Sequence, residues 1–294
     1  MVLADDGTRI HFLDWGGPAD RGAVGGALLL HGLSQTAWLW TPVARRLRGA
    51  LRTIALDVRG HGLSDAPTDD PSVDYALSVL AGDAVAAAEG SGLLEAGHDR
   101  VVIAGHGFGA IVAAEAAAEL GGRCAGLLLV DGGWEELEGS SGMDVDEFLR
   151  NLDEPPQVLA SLPAFLADRS AFDPASWDAD QERAARATVV ETHAGRVVPA
   201  TRPHALEACV RTMFRYDAGA VLPRVQAPVR ALIAADDESG TRARALADLS
   251  SVREAAGRDP IAVSRFPGAG HNLMRYRPAE VTAAILEFVP MGAS

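Results

Sequence analysis

Three glycines in five residues separate an apolar run from a helix-prone one, and that join constrains the chain more than any other feature. Val101-Val102-Ile103-Ala104 reads as a buried strand and Gly105-His106-Gly107-Phe108-Gly109 as a very tight turn. The small residues that follow read as a helix, since short β-branched runs favour strands and glycine supplies the backbone angles of a sharp reversal. Short apolar runs alternate with longer helix-like segments along most of the chain, which predicts a mostly parallel sheet covered by helices.

Strands are expected at Arg9–Trp15, Ala27–Leu30, Thr53–Leu56, Val101–Ala104, Gly126–Val130, Val229–Ala234 and Ala262–Phe266. Helices are expected near Trp38–Arg48, Tyr75–Gly90, Phe108–Leu120, Thr241–Glu254 and Pro278–Phe288. The alternation breaks between Trp134 and about Gln226, in a stretch punctuated by prolines that reads as several short helices with no clear strand. The organisation predicted is α/β, with a core of residues 1–133 and 226–294 and a helical cap at 134–225, inserted between two late strands. Open α/β sheets bind ligands at the carboxyl ends of their strands, so such a cap would roof the site.

Composition narrows the chemistry. The 294 residues are 48% apolar, ample for a large core. All 26 basic residues are arginine, which excludes Schiff-base chemistry and a lysine general base. A net charge of −14 argues against nucleic acid and anionic membrane surfaces as partners. Cys124 and Cys209 match no metal-ligand spacing and read as two reduced buried thiols. The first residues lack the pattern of a secretory signal, and no apolar run approaches the ~20 residues of a membrane helix. The expectation is a soluble cytoplasmic protein, monomer or homodimer, acting on a small molecule without metal or organic cofactor.

Six stretches in order, each at or just after an expected strand, carry a resemblance: LLLHGL (28–33), ALDVRGHGLSD (55–65), VVIAGHGFGA (101–110), LLLVDGGW (127–134), ALIAADD (231–237) and FPGAGHNL (266–273). Together they resemble the α/β-hydrolase fold superfamily, in its capped esterase- or lactonase-like branch. The resemblance implies a nucleophile in a G-x-S-x-G turn, then an acid, then a histidine. His271, in a glycine-rich turn after the last strand, would be the base. The family's spacing, carried over to the strand ending at Ala234, implies Asp237 as the acid, with Asp236 and Asp131 as alternatives. The oxyanion hole would come from the backbone N–H groups of Leu33 and Phe108. His31, Gly32, Ser34, Trp38, His106, Trp134, Met213 and Phe214 are the candidate pocket residues. The polar groups of Asp57–Asp65 are expected to satisfy one another and pin the loop beside the oxyanion turn. His193 and His204 read as solvated.

The nucleophile position, however, is Gly107. Glycine tolerates the strained backbone of that turn, so the fold would survive while acyl-enzyme chemistry is lost. Three readings stay open. The leading one is a serine-type ester or lactone hydrolase whose nucleophile has been replaced, leaving a site able to trap ligand. The second is an enzyme using the histidine–acid pair as a general base without a covalent step. The third is a binding protein. An aspartate at 107 would have pointed to epoxide or haloalkane substrates, and residues 31–35 lack the HGGPG of proline iminopeptidases.

Overall fold

The computed structural model describes residues 1–18, 24–153, 155–234 and 240–289. Its strands are β1 (Val2–Leu3), β2 (Arg9–Ile10), β3 (Phe12–Asp14), β4 (Val24–Leu30), β5 (Thr53–Leu56), β6 (Arg100–His106), β7 (Cys124–Val130), β8 (Val189–Glu191), β9 (Val197–Pro199), β10 (Val229–Ala234) and β11 (Ala262–Phe266). One sheet runs β11-β10-β7-β6-β4-β5-β3, parallel throughout except for β3, which lies antiparallel to β5. This is the α/β-hydrolase fold that the motif order predicts.

The central strands are buried on both faces, which is why they read as unbroken apolar runs. Alternate residues serve opposite layers. Val101 and Ile103 pack with the helices Leu77–Gly90 and Phe108–Leu120, whereas Val102 and Ala104 pack against Thr41–Leu47 and Pro278–Leu286. The helix Phe108–Leu120 is buried around most of its circumference, and its alanines let it lie close to the sheet. Closeness also explains two glycines of the turn. A Cβ at Gly105 would stand 2.1 Å from the Gly109 carbonyl oxygen, and one at Gly109 2.4 Å from that of His31. Neither position has room for even a methyl group.

Two expectations fail locally. Arg9–Trp15 is split into β2 and β3, which belong to different sheets. The stretch read as helical contains an antiparallel hairpin, β8 with β9, closed by Gly195 in the left-handed region. Its signal was the paired Val189-Val190 and Val197-Val198, β-branched residues flanking a glycine turn.

The loop after β5 only partly satisfies itself. Asp57 accepts from the backbone N–H of Leu63 but also from that of Ala37 and from His11 Nδ1. Arg59, 1% exposed, reaches away to Asp83 through two bonds of 2.7 and 2.6 Å, and to Asp6 at 2.8 Å. Asp83→Ala should leave a buried guanidinium without its main counter-charge, at a cost of about 3–5 kcal/mol. Urea denaturation checks this, and a loss below about 1 kcal/mol would contradict it.

Candidate active site

Strand register brings the pieces together. Leu30 at the end of β4 pairs with Gly105, and His106 at the end of β6 pairs with Val130, the last residue of β7. The turns holding Gly32-Leu33, Gly107 and Asp131 therefore leave the same edge of the sheet side by side. The loop after β11, at the sheet's margin, carries His271 to them.

Gly107 adopts φ 52° and ψ −116°, a sharp reversal that opens the helix Phe108–Leu120. A Cβ built there would lie 3.3 Å from His271 Nε2. Any side chain at 107 thus aims at the imidazole.

His271 Nδ1 hydrogen-bonds Asp131 Oδ2 at 2.6 Å, which leaves Nε2 toward Gly107. Asp131 also accepts from the Ala234 backbone N–H at 2.8 Å and from Arg242 Nη2 at 2.6 Å. Arg242 is itself held by Glu135 Oε1 at 3.0 Å and by the Ala234 carbonyl at 2.9 Å. Burial alone would raise the pKa of Asp131. The His271 hydrogen bond and the Arg242 charge outweigh it and hold the carboxyl below the usual carboxylate range, so it stays ionised.

The acid expected at Asp237, with Asp236 as alternative, lies outside the described residues. The carboxylate found on His271 is Asp131, and the reason is register: β7 delivers it directly beside the elbow. A signal was present in Asp131-Gly132-Gly133. A Cβ at Gly132 would meet Gly107 Cα at 2.7 Å, so the chain after the acid must be bare.

His106 lies under His271 with ring centroids 4.3 Å apart, and its Nε2 donates to the His271 carbonyl at 3.1 Å. His31 is fully buried. Its Nδ1 bonds the Gly32 carbonyl at 2.8 Å, and its Nε2 accepts from the Val58 N–H at 3.0 Å. Both hold neighbouring backbone in place. Gly32 is bare because His106 Nδ1 would stand 2.7 Å from its Cβ. Burial, then the neighbouring His271, pushes the His106 pKa down to about 3. Burial, then His31, does the same to His61, also to about 3. Burial lowers His31 as well.

These imidazoles stay neutral in the fold but take protons once unfolded, below an ordinary pKa of about 6.5. The unfolded state then binds more protons, so stability is full above that value and falls as pH drops from about 6.5 toward 3. Thermal unfolding from pH 7.5 to 5 should show the decline beginning well above the carboxylate range. A flat profile down to pH 5 would contradict it.

The Phe108 and Leu33 amides donate to no other group among the described residues, as oxyanion donors require. A cavity of about 440 Å³ opens alongside, reaching Ser34, next to Leu33, and Asn272, next to His271. Phe165, Trp177 and Leu206 form apolar wall, and Arg169 and Arg275 are basic. Of the candidate pocket residues only Ser34 lines it. Trp134 is buried beneath the Arg242 guanidinium, Trp38 packs edge-on against Trp15, Met213 packs on the core and Phe214 packs on Phe148. Met213 and Phe214 thus pack, whereas Leu206 on the same helix faces the cavity. His204 is within 3.4 Å of the Tyr75 hydroxyl and half-buried, whereas His193 is exposed, as expected of a solvated residue. Arg242, Asn272 and Arg275 escaped the sequence reading, because isolated arginines and an asparagine carry no pattern.

Among the described residues no cluster of His, Cys, Asp or Glu could hold a metal ion, and no helix is long and apolar enough to cross a membrane. Cys124 and Cys209 are buried free thiols, the former pushed up to about 12 by burial.

A parallel sheet with a nucleophile-elbow turn, a histidine held by a strand-end carboxylate and two free backbone amides define an α/β-hydrolase site. Residues 27–285 match the model of the alpha/beta hydrolase family, and the chain belongs to that family. It is 29% identical over 277 residues to RutD, a candidate carbamate hydrolase of Variovorax paradoxus (strain S110), covering 93% of each chain. It is 38% identical over 129 residues to N-formylmaleamate deformylase of Pseudomonas putida (strain KT2440), a match covering 44% of this chain and 43% of that one. The fold superposes on the crystal structure of E-2-(acetamidomethylene)succinate hydrolase with a TM-score of 0.73 at 23% identity, over 96% of this chain and 100% of that one.

Proposed function

We propose that the chain carries a carboxylic ester or lactone hydrolase site of the serine type that lacks only the attacking oxygen. One observation carries this reading. The Cβ direction of residue 107 meets His271 Nε2 at 3.3 Å, while Asp131 holds the far side of the ring at 2.6 Å. Everything a serine would need stands around a residue that cannot attack.

Acylation is closed to this chain, so turnover runs through water. His271 Nε2 takes a proton from a water molecule whose oxygen attacks the carbonyl carbon. The tetrahedral oxyanion is received by the Phe108 and Leu33 amides, and His271 returns the proton to the departing alkoxide. The segment 134–225 acts as a cap, placing its apolar side chains against the substrate. Bond cleavage at a carbonyl carbon is consistent with the names of the carbamate hydrolase and deformylase relatives.

A panel of p-nitrophenyl esters and lactones, assayed with the chain and with Gly107→Ser, tests the reading. Slow hydrolysis by the chain and fast hydrolysis by the variant support it. A panel on which the folded variant gains nothing would overturn it.

A further inference from the structure

Acidic residues outnumber basic ones by 40 to 26 in this chain, yet the described residues lining the cavity include two arginines and no aspartate or glutamate. Arg275, one turn of chain beyond His271, is the informative one. Its Nε donates to Ser176 Oγ at 2.6 Å and its Nη2 to the Asp173 carbonyl at 2.8 Å, both neutral acceptors. The Asp173 carboxylate is engaged elsewhere, by Ser176 Oγ at 2.6 Å and the Ala175 N–H at 3.2 Å. Among the described residues no carboxylate lies in ion-pair range of Arg275, and Nη1 has no partner.

Aromatic rings flank the same guanidinium, Trp177 at 5.9 Å and Tyr276 at 5.5 Å. They lower its hydration without neutralising it, which strengthens its pull on an anion. The Asp173 carboxylate is near enough to feel the Arg275 charge but reaches it only through Ser176 Oγ. A cation fixed by two hydrogen bonds, with no carboxylate in direct contact, is preorganised for an incoming one. Beside it, Asn272 Oδ1 is buried with no hydrogen-bond partner, although Asn272 lines the cavity. A ligand N–H or O–H would supply what that oxygen lacks.

We infer that the cavity takes an acyl group bearing a free carboxylate, which Arg275 receives while the scissile carbonyl lies at His271. The substrates would then be half-esters or lactone acids, and Arg275 is the residue that selects them over neutral esters. This rests on the ester and lactone reading of the site, but its test does not need turnover.

Calorimetric titration compares monomethyl glutarate with dimethyl glutarate on the unmodified chain and on Arg275→Gln. The monoester should bind the unmodified chain more tightly. Arg275→Gln should weaken the monoester by roughly 10- to 100-fold and leave the diester unchanged. Arg275→Lys, which keeps the charge but not the fork, should restore part of the loss. Equal binding of the two esters to the unmodified chain overturns the proposal, as does equal weakening of both by Arg275→Gln. If Arg275→Gln fails to fold, the comparison on the unmodified chain decides. Discrimination without hydrolysis of either ester would refute the catalytic reading and keep the carboxylate subsite, and hydrolysis without discrimination would do the reverse.

Discussion

Gly107→Ser is expected to raise ester or lactone hydrolysis by about 10³-fold or more while lowering the stability of the fold. Removing a triad serine elsewhere costs about 10⁶ in turnover, and what remains comes from the oxyanion hole and binding. Restoring the hydroxyl should recover a large part of that difference, because His271, Asp131 and the Phe108 and Leu33 amides, the proposed base, acid and oxyanion donors, are already in place. The stability loss has a separate cause. At φ 52° a residue with a Cβ is strained, a cost of roughly 1–3 kcal/mol. The added carbon also sits a few tenths of an ångström too close to His271 Nε2. The imidazole can give way, because the His271 side chain is 61% exposed. Initial rates on the ester panel and a urea melt measure the two effects on one sample. A burst of alcohol release before the steady state would show the acyl intermediate directly. A rate unchanged by a folded Gly107→Ser protein refutes the serine-type assignment.

The second large effect concerns the base and its partner. His271→Ala should abolish whatever hydrolysis the chain retains and should return the Gly107→Ser variant to background. Asp131→Asn should lower kcat/KM by about 10²- to 10⁴-fold in either background, since the amide no longer supports a protonated imidazole. Asp237→Asn and Asp236→Asn should leave the rate essentially unchanged. If Asp237→Asn carries the loss and Asp131→Asn does not, the assignment of the acid to Asp131 is wrong. Binding separates catalysis from recognition here. A product acid should bind His271→Ala nearly as well as the unmodified chain if the histidine acts on protons and not as a contact.

The fold was legible because its central strands are buried on both faces. Thr53–Leu56 and Val229–Ala234 run where the apolar runs run, Ala262–Phe266 forms in its expected place at the sheet's edge, and the helix Phe108–Leu120 starts directly after Gly107. The elbow was legible for a steric reason: Gly105 and Gly109 answer to carbonyl oxygens that leave no space for a Cβ. The partner of His271 was legible only as one of three candidates. Counting residues past β10 favoured Asp237, which lies outside the described residues, over Asp131, and the hydrogen bond seen with Asp131 depends on which strand end lies next to the elbow, which sheet order fixes. The pocket was least legible. Met213 packs on the core, Phe214 on Phe148 and Trp38 on Trp15, and the cavity charge comes from Arg169 and Arg275, single residues far apart in the chain.

His271 is carried by the loop after β11, an edge strand and the most exposed of the seven. Its partner Asp131 is anchored in the interior, tied to β10 through the Ala234 N–H and to Arg242. The two halves of this hydrogen-bonded pair, the proposed proton-transfer pair, therefore belong to regions of unequal local stability. Fraying of the margin would withdraw the base while the central strands stay folded. In rising denaturant, loss of turnover should precede loss of ellipticity, and the protein would fall silent before it melts.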